Sequence, residues 1–158
     1  MAAEIEKRRF IEVCREIELT MGRLYRRLAG LHAHEPRMAE LWEKTAREED
    51  AHAAQYKLGA PLLDAMLAAP RFELAEGLRL LGEIEGILGR IDRDPPGITE
   101  ALETAVALER GFARFHMPNA FQFQEESHRR LAQAMMDADL KHVEALEDAL
   151  AERQAKKG

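Results

Sequence analysis

Residues 4–29 contain no proline, and Ile11, Cys14, Glu18, Met21, Tyr25 and Leu28 recur there at three- and four-residue spacing, as one face of a long helix requires. One member of that otherwise apolar or aromatic seam is a carboxylate. The combination recurs three more times. Residues 36–58 present Met38, Trp42, Thr45, Glu49, His52 and Tyr56; residues 99–122 present Leu102, Ala105, Glu109, Phe112 and His116; residues 126–153 present Ala132, Met135, Asp139, His142 and Leu146. Each long helix thus places an acid where its neighbours are buried. A buried carboxylate is costly unless it is paired or binds a metal, so the four helices are expected to face their acids towards one another around a cation.

The connections set the topology. The stretch 30–35 reads as a short turn, and Pro36 suits the first turn of a helix because its missing N–H has no partner there anyway. So short a link requires an antiparallel pair, helix A over 4–29 and helix B over 36–58. The segment 60–97 carries prolines at 61, 70, 95 and 96, yet Leu74, Leu78, Leu81, Ile84, Leu88 and Ile91 keep helical spacing, so a helical crossover is expected. Helix C should start near Thr99, its expected N-cap, and run to 122 with a break near Pro118; helix D should span 126–153. The expected fold is all-α: a single domain over 1–158, with two antiparallel helix pairs joined by a long crossover in a four-helix bundle of ferritin-like connectivity.

Composition agrees. Ala and Leu supply 46 residues against 14 for Val, Ile and Thr together, which disfavours sheet folds. With 29 acidic and 23 basic residues the net charge is −6, the opposite of the balance a nucleic-acid-binding surface needs. A single cysteine, Cys14, allows neither an internal disulfide nor a Cys-x-x-Cys metal site and points to a cytoplasmic setting. No basic start is followed by an apolar run, and apolar stretches such as 60–69 are too short to span a membrane, so no membrane association is expected.

The heights of the acids follow from arithmetic. The A/B turn is centred near residue 33, with Glu18 15 residues before it and Glu49 16 after it, so both lie about 23 Å from the turn. Glu109 and Asp139 have their midpoint at 124, the expected C/D turn. Two level pairs, with His52 and His142 one turn beyond a carboxylate on the same helix, make a Glu plus an acid-x-x-His, twice over. That donor set suits two hard cations a few ångströms apart: two carboxylates bridge, while two carboxylates and two imidazoles bind terminally. Iron and manganese both favour such ligands. Glu125-x-x-His128 matches the same spacing but falls at the C/D turn and is set aside. The competing reading is a helical interaction module whose inward polar groups bond one another.

These residues resemble the rubrerythrin family of ferritin-like diiron-carboxylate proteins: Glu18 with Tyr25 seven residues on, Trp42 through Glu49 to His52 on helix B, Glu109 with Pro118 nine residues later, and Asp139 with His142. The similarity covers 5–59 and 98–150. It implies two iron ions per chain, with terminal ligation by Glu18 and Glu109, bridging by Glu49 and Asp139, one imidazole per iron, and Tyr25 as a partner beside a ligand. It further implies a homodimer and a nonhaem diiron oxidoreductase that reduces peroxide or dioxygen while oxidising ferrous iron or an external electron donor. An iron- or manganese-binding protein without turnover is the nearer alternative. The chain differs from the family in having Phe112 where a further helix-C glutamate is usual, in lacking the four cysteines of a rubredoxin domain, and in its long crossover. A static ligand set that reacts faster with peroxide than with dioxygen is the expectation that follows.

Other residues have plainer expected roles. His116, seven residues past Glu109 on the seam, is a core histidine or a group beside the ligands; Trp42, the methionines and Cys14 fill the core; His32 and His34 flank the A/B turn in solvent. The pairs Arg8-Arg9, Arg26-Arg27 and Arg129-Arg130 belong to exposed faces.

Overall fold

The computed structural model describes the backbone over 2–58 and 65–156, with the side chains of that set outside 2–3, 58, 117–118, 135–140 and 142. The protein is an all-α bundle with one small two-stranded sheet. Helix α1 spans Ala2–Leu31 and α2 spans Pro36–Leu58. They are antiparallel: Tyr25 stacks on Trp42, Arg26 pairs with Asp50, and Glu18 meets His52. Gly22 allows the close approach, since a Cβ there would sit 3.2 Å from Asp50 Oδ1 and 3.5 Å from the Ala46 carbonyl. The buried face of α1 includes Phe10, Ile17, Met21, Leu24, Tyr25 and Leu28.

Within the 60–97 crossover, the stretch whose helical spacing runs from Leu74 to Ile91 is a helix, as expected, and a short strand precedes it. The start of the crossover, 59–64, lies outside the described residues; then come a strand, β1 (Leu67–Pro70), and a helix, α3 (Leu74–Arg93). Helix α3 runs parallel to α1, with Gly77 against Val13 at one end and Arg27 bonded to Asp92 at the other. A Cβ at Gly77 would lie 2.9 Å from Val13 Cγ1, so glycine is what lets the two helices close up. The buried positions of α3 are Gly77, Ile84 and Ile91, a heptad track, whereas Leu78, expected on the inner stripe, is 44% exposed. The capping box of Glu73 and Glu76 satisfies the first amides of α3.

Helix α4 (Ile98–Phe112) starts one residue before the expected Thr99 N-cap, with Gly97 in that role, and it ends ten residues short of 122. Past Phe112 the chain tightens into a 3-10 turn (Ala113–Phe115), extends at His116, makes one helical turn as α5 (Met117–Ala120) with Pro118 in it, and pairs as β2 (Phe121–Phe123) with β1. Pro118 explains the early stop: it donates no backbone N–H and its ring disfavours a helix continuing through it. The strands are antiparallel, with Leu67 opposite Phe123 and Pro70 opposite Phe121, and a bulge between Leu67 and Ala69. Phe10 packs edge-on against Phe121, and Phe72 and the Arg114 guanidinium cover Phe115, closing this end of the bundle.

The last helix, α6 (Glu126–Ala155), returns along α4, tied by Arg110 to Glu147, and along α2, tied by Arg37 to Glu152. With α2 and α4 parallel and the crossover on α1, the connectivity is that of two antiparallel pairs joined end to end. No helix among the described residues is long and apolar enough to cross a membrane.

Candidate metal centre

Glu18 and His52 come from facing positions of α1 and α2, and Glu49 lies one turn before His52 on α2. Their relative exposures are 2%, 6% and 0%, so three ionisable groups share a site almost closed to solvent. His52 Nδ1 lies 3.2 Å from Glu49 Oε2 and 3.4 Å from Glu18 Oε2. The three side chains offer ligand atoms within 4.8 Å of one another, close enough for one cation to bind all three. Glu18 Oε2 accepts no hydrogen bond among the described residues, an outcome that burial normally forbids unless another group occupies that direction.

Glu109 of α4 is buried on the opposite wall, and Tyr25 of α1 donates its phenolic hydrogen bond to Glu109 Oε1. Glu109 is near enough to Glu49 to act on its ionisation. Burial pushes the Glu49 carboxyl well above the usual carboxylate range and the Glu109 charge adds to this; the hydrogen bond with His52 opposes it, and Glu18 raises it further. Tyr25 is driven up by burial and by Glu109, Glu49 and Glu18. Three buried carboxylates from three helices therefore act on one another. A divalent cation relieves that strain. Oxygen-rich donors with an imidazole suit iron or manganese, so the residues present fit the group their pattern implies.

Of the six expected ligands, the structure brings Glu18, Glu49 and His52 together and sets Glu109 beside them. Asp139 and His142 lie on α6, but their side chains are outside the described residues. Tyr25 is beside a candidate ligand, as expected. His116 is buried next to the site: its ring lies 6.4 Å from that of His52 and 4.9 Å from Phe112, edge to face in both cases. Cys14, one turn before Glu18, is buried, and burial together with Glu18 pushes its thiol up, which keeps it protonated and unreactive.

One expectation is overturned. His32 is not solvated: it is 3% exposed, its Nδ1 accepts a hydrogen bond from Trp42 Nε1 at 3.1 Å, and its Nε2 lies 3.1 Å from the Pro96 carbonyl. Trp42 is a core residue, as expected, and its ring stacks on Tyr25 at 5.8 Å and 10°. The available signal was the indole N–H, which needs a partner once buried. Comparison with protein families, with curated proteins and with solved structures returned no match.

Proposed function

We propose that this chain is a nonhaem diiron oxidoreductase of rubrerythrin-like type, with Glu18, Glu49, His52 and Glu109 holding two irons together with Asp139 and His142. The observation that carries the reading is the buried Glu18, Glu49 and His52 cluster, with Glu109 acting on Glu49 from a third helix.

Bound iron would supply electrons to peroxide or dioxygen, and an external donor or fresh ferrous ion would restore them. The protein's own part is positional. Helices α1 and α2 hold Glu18, Glu49 and His52 in register through the short turn between them. Tyr25 fixes the carboxylate of Glu109 through its hydroxyl, and Phe112, 1% exposed, helps to keep bulk water away. Phe112 also leaves no carboxylate one turn past Glu109, so a bound iron pair would keep the same ligand set in both oxidation states.

Metal analysis of protein purified without added metal, followed by anomalous scattering at the iron and manganese edges, tests the reading. Two ions per chain at these residues, with repeated turnover of peroxide, are expected. Bound metal without turnover would leave a binding protein. No metal at all would leave a helical interaction module.

A further inference from the structure

The carboxylate site is connected to the far end of the α1–α2 pair by an unbroken run of aromatic groups. Tyr25 lies seven residues past Glu18 on α1, and Trp42 lies seven before Glu49 on α2, so their backbone positions are about 10 Å along the bundle from those of Glu18 and Glu49. Tyr25 donates to Glu109, stacks on Trp42 nearly face to face, and Trp42 donates its N–H to His32 Nδ1. His32 lies seven residues past Tyr25, and its ring meets that of the exposed His34 edge-on at 6.3 Å. Both histidines line an open cleft of about 560 Å³ together with Leu31, Glu35, Pro96 and Arg153. Tyr25 and Trp42 are both fully buried, so the run is shielded from water until it reaches the cleft.

We infer that Tyr25, Trp42 and His32 form a charge-transfer chain that carries oxidising equivalents from the carboxylate centre to this cleft, where a small one-electron reductant discharges them. The inference rests on the diiron reading for the source of the oxidising equivalent, and on the ring geometry for the path. The chain serves the case in which peroxide meets a centre able to give one electron only. Tyr25 then supplies the second electron, passing its phenolic proton to Glu109 Oε1 and on to peroxide oxygen. With one electron from a ferrous ion and one further proton from solvent, peroxide becomes two waters. Trp42 refills Tyr25 with an electron while its indole proton moves to His32 Nδ1, and Tyr25 regains a proton through Glu109. The reductant in the cleft refills Trp42, and His32 returns the proton. The sum is peroxide, one ferrous ion, one reductant and two protons giving two waters, one ferric ion and the oxidised reductant.

Each hydrogen bond has a task in this scheme. A phenol or an indole gives up an electron far more readily when its proton has an acceptor already in place, and Glu109 and His32 are those acceptors. Burial asks each donor for a partner, and here the partners are a carboxylate and an imidazole, both able to take up a proton. The chain has one tryptophan and two tyrosines, so the path can be dissected with few variants.

The test uses metal-free protein carrying a ruthenium polypyridyl photo-oxidant on His34, with the labelled position verified by mass spectrometry. Flash oxidation should produce a tyrosyl radical at a rate independent of protein concentration. Tyr25→Phe should abolish that signal, with Tyr56 still present, and Trp42→Phe should slow its appearance at least tenfold; circular dichroism and melting check that both variants fold. A tyrosyl signal unchanged in either folded variant overturns the chain. In a second arm, protein loaded with one ferrous ion per chain is mixed with peroxide and freeze-quenched, and electron paramagnetic resonance should show a tyrosyl radical that Tyr25→Phe removes. Transfer in the first arm, together with bound iron and no radical in the second, overturns the chain's service to the carboxylate centre. Failure of iron to bind overturns the diiron reading, and that service with it, while the first arm still decides whether the rings conduct.

Discussion

The two helix pairs of the bundle are built to different standards. In the α1–α2 pair, two long helices joined by a short turn bury Glu18, Glu49, His52, Tyr25 and Trp42 between them. In the α4–α6 pair, α4 stops at Phe112, the link passes through a 3-10 turn, a one-turn helix and a strand, and the side-chain tie between Arg110 and Glu147 is exposed. The difference teaches where precision is needed. A short turn fixes the register of α1 on α2 without help, so three candidate ligands fall together as soon as the pair forms. The second pair has a long connection and contributes Glu109, which is locked by a bond from Tyr25 of the first pair.

That contrast can be broken or sharpened by experiment. The largest effect is expected at Glu49: Glu49→Ala removes a carboxylate shared by the site and should abolish tight binding of ferrous or manganous ion, read by calorimetry, whereas Glu125→Ala at the start of α6 should leave binding unchanged. Equal losses would place the metal elsewhere. Next, Trp42→Ala deletes a fully buried ring and its bond to His32, and should cost about 3–5 kcal/mol in chemical denaturation. A cost under about 1 kcal/mol would show that the first pair is not the tightly packed half.

Third, stability of the metal-free protein should depend on pH through Glu49. Its folded carboxyl is raised by burial and by Glu109 and Glu18 against the opposing bond from His52, so the folded state holds a proton that the unfolded chain loses near pH 4.3. The unfolded state therefore binds fewer protons above about pH 4.3, and stability falls as pH rises from there, by up to about 1.4 kcal/mol per pH unit. Saturating metal should flatten that slope, and Glu49→Gln should reduce it. A metal-free protein whose stability rises from pH 5 to 7 would contradict the assignment. The smallest effect is expected at the exposed tie of the second pair: Arg110→Ala should cost about 0.2–1 kcal/mol, the range for surface ion pairs.

How far the site could be read beforehand follows the same division. Glu18, Glu49 and His52 were legible because seam position and distance from a short turn are both set by helical geometry. The apolar spacing along the crossover identified a helix and put Ile84 and Ile91 on its inner face, but it put Leu78 there where the structure buries Gly77, because close packing on Val13 selects the smallest residue rather than the most apolar one. The strand pairing of Leu67–Pro70 with Phe121–Phe123 escaped notice, since three- and four-residue strands carry too few alternations to register as a pattern.

What the sequence determined by itself was therefore local and periodic: helical segments, their apolar seams, the acids on those seams and the height of the first pair. Those properties follow from 3.6 residues per turn and from the cost of burying charge. Only the tertiary structure decided that α4 ends at Phe112, that Tyr25 bonds to Glu109, and that His32 is buried beneath Trp42 as the acceptor of its N–H. Each of these depends on which buried donor lies within reach of which acceptor on another helix, and that distance is set by packing between segments far apart in the chain.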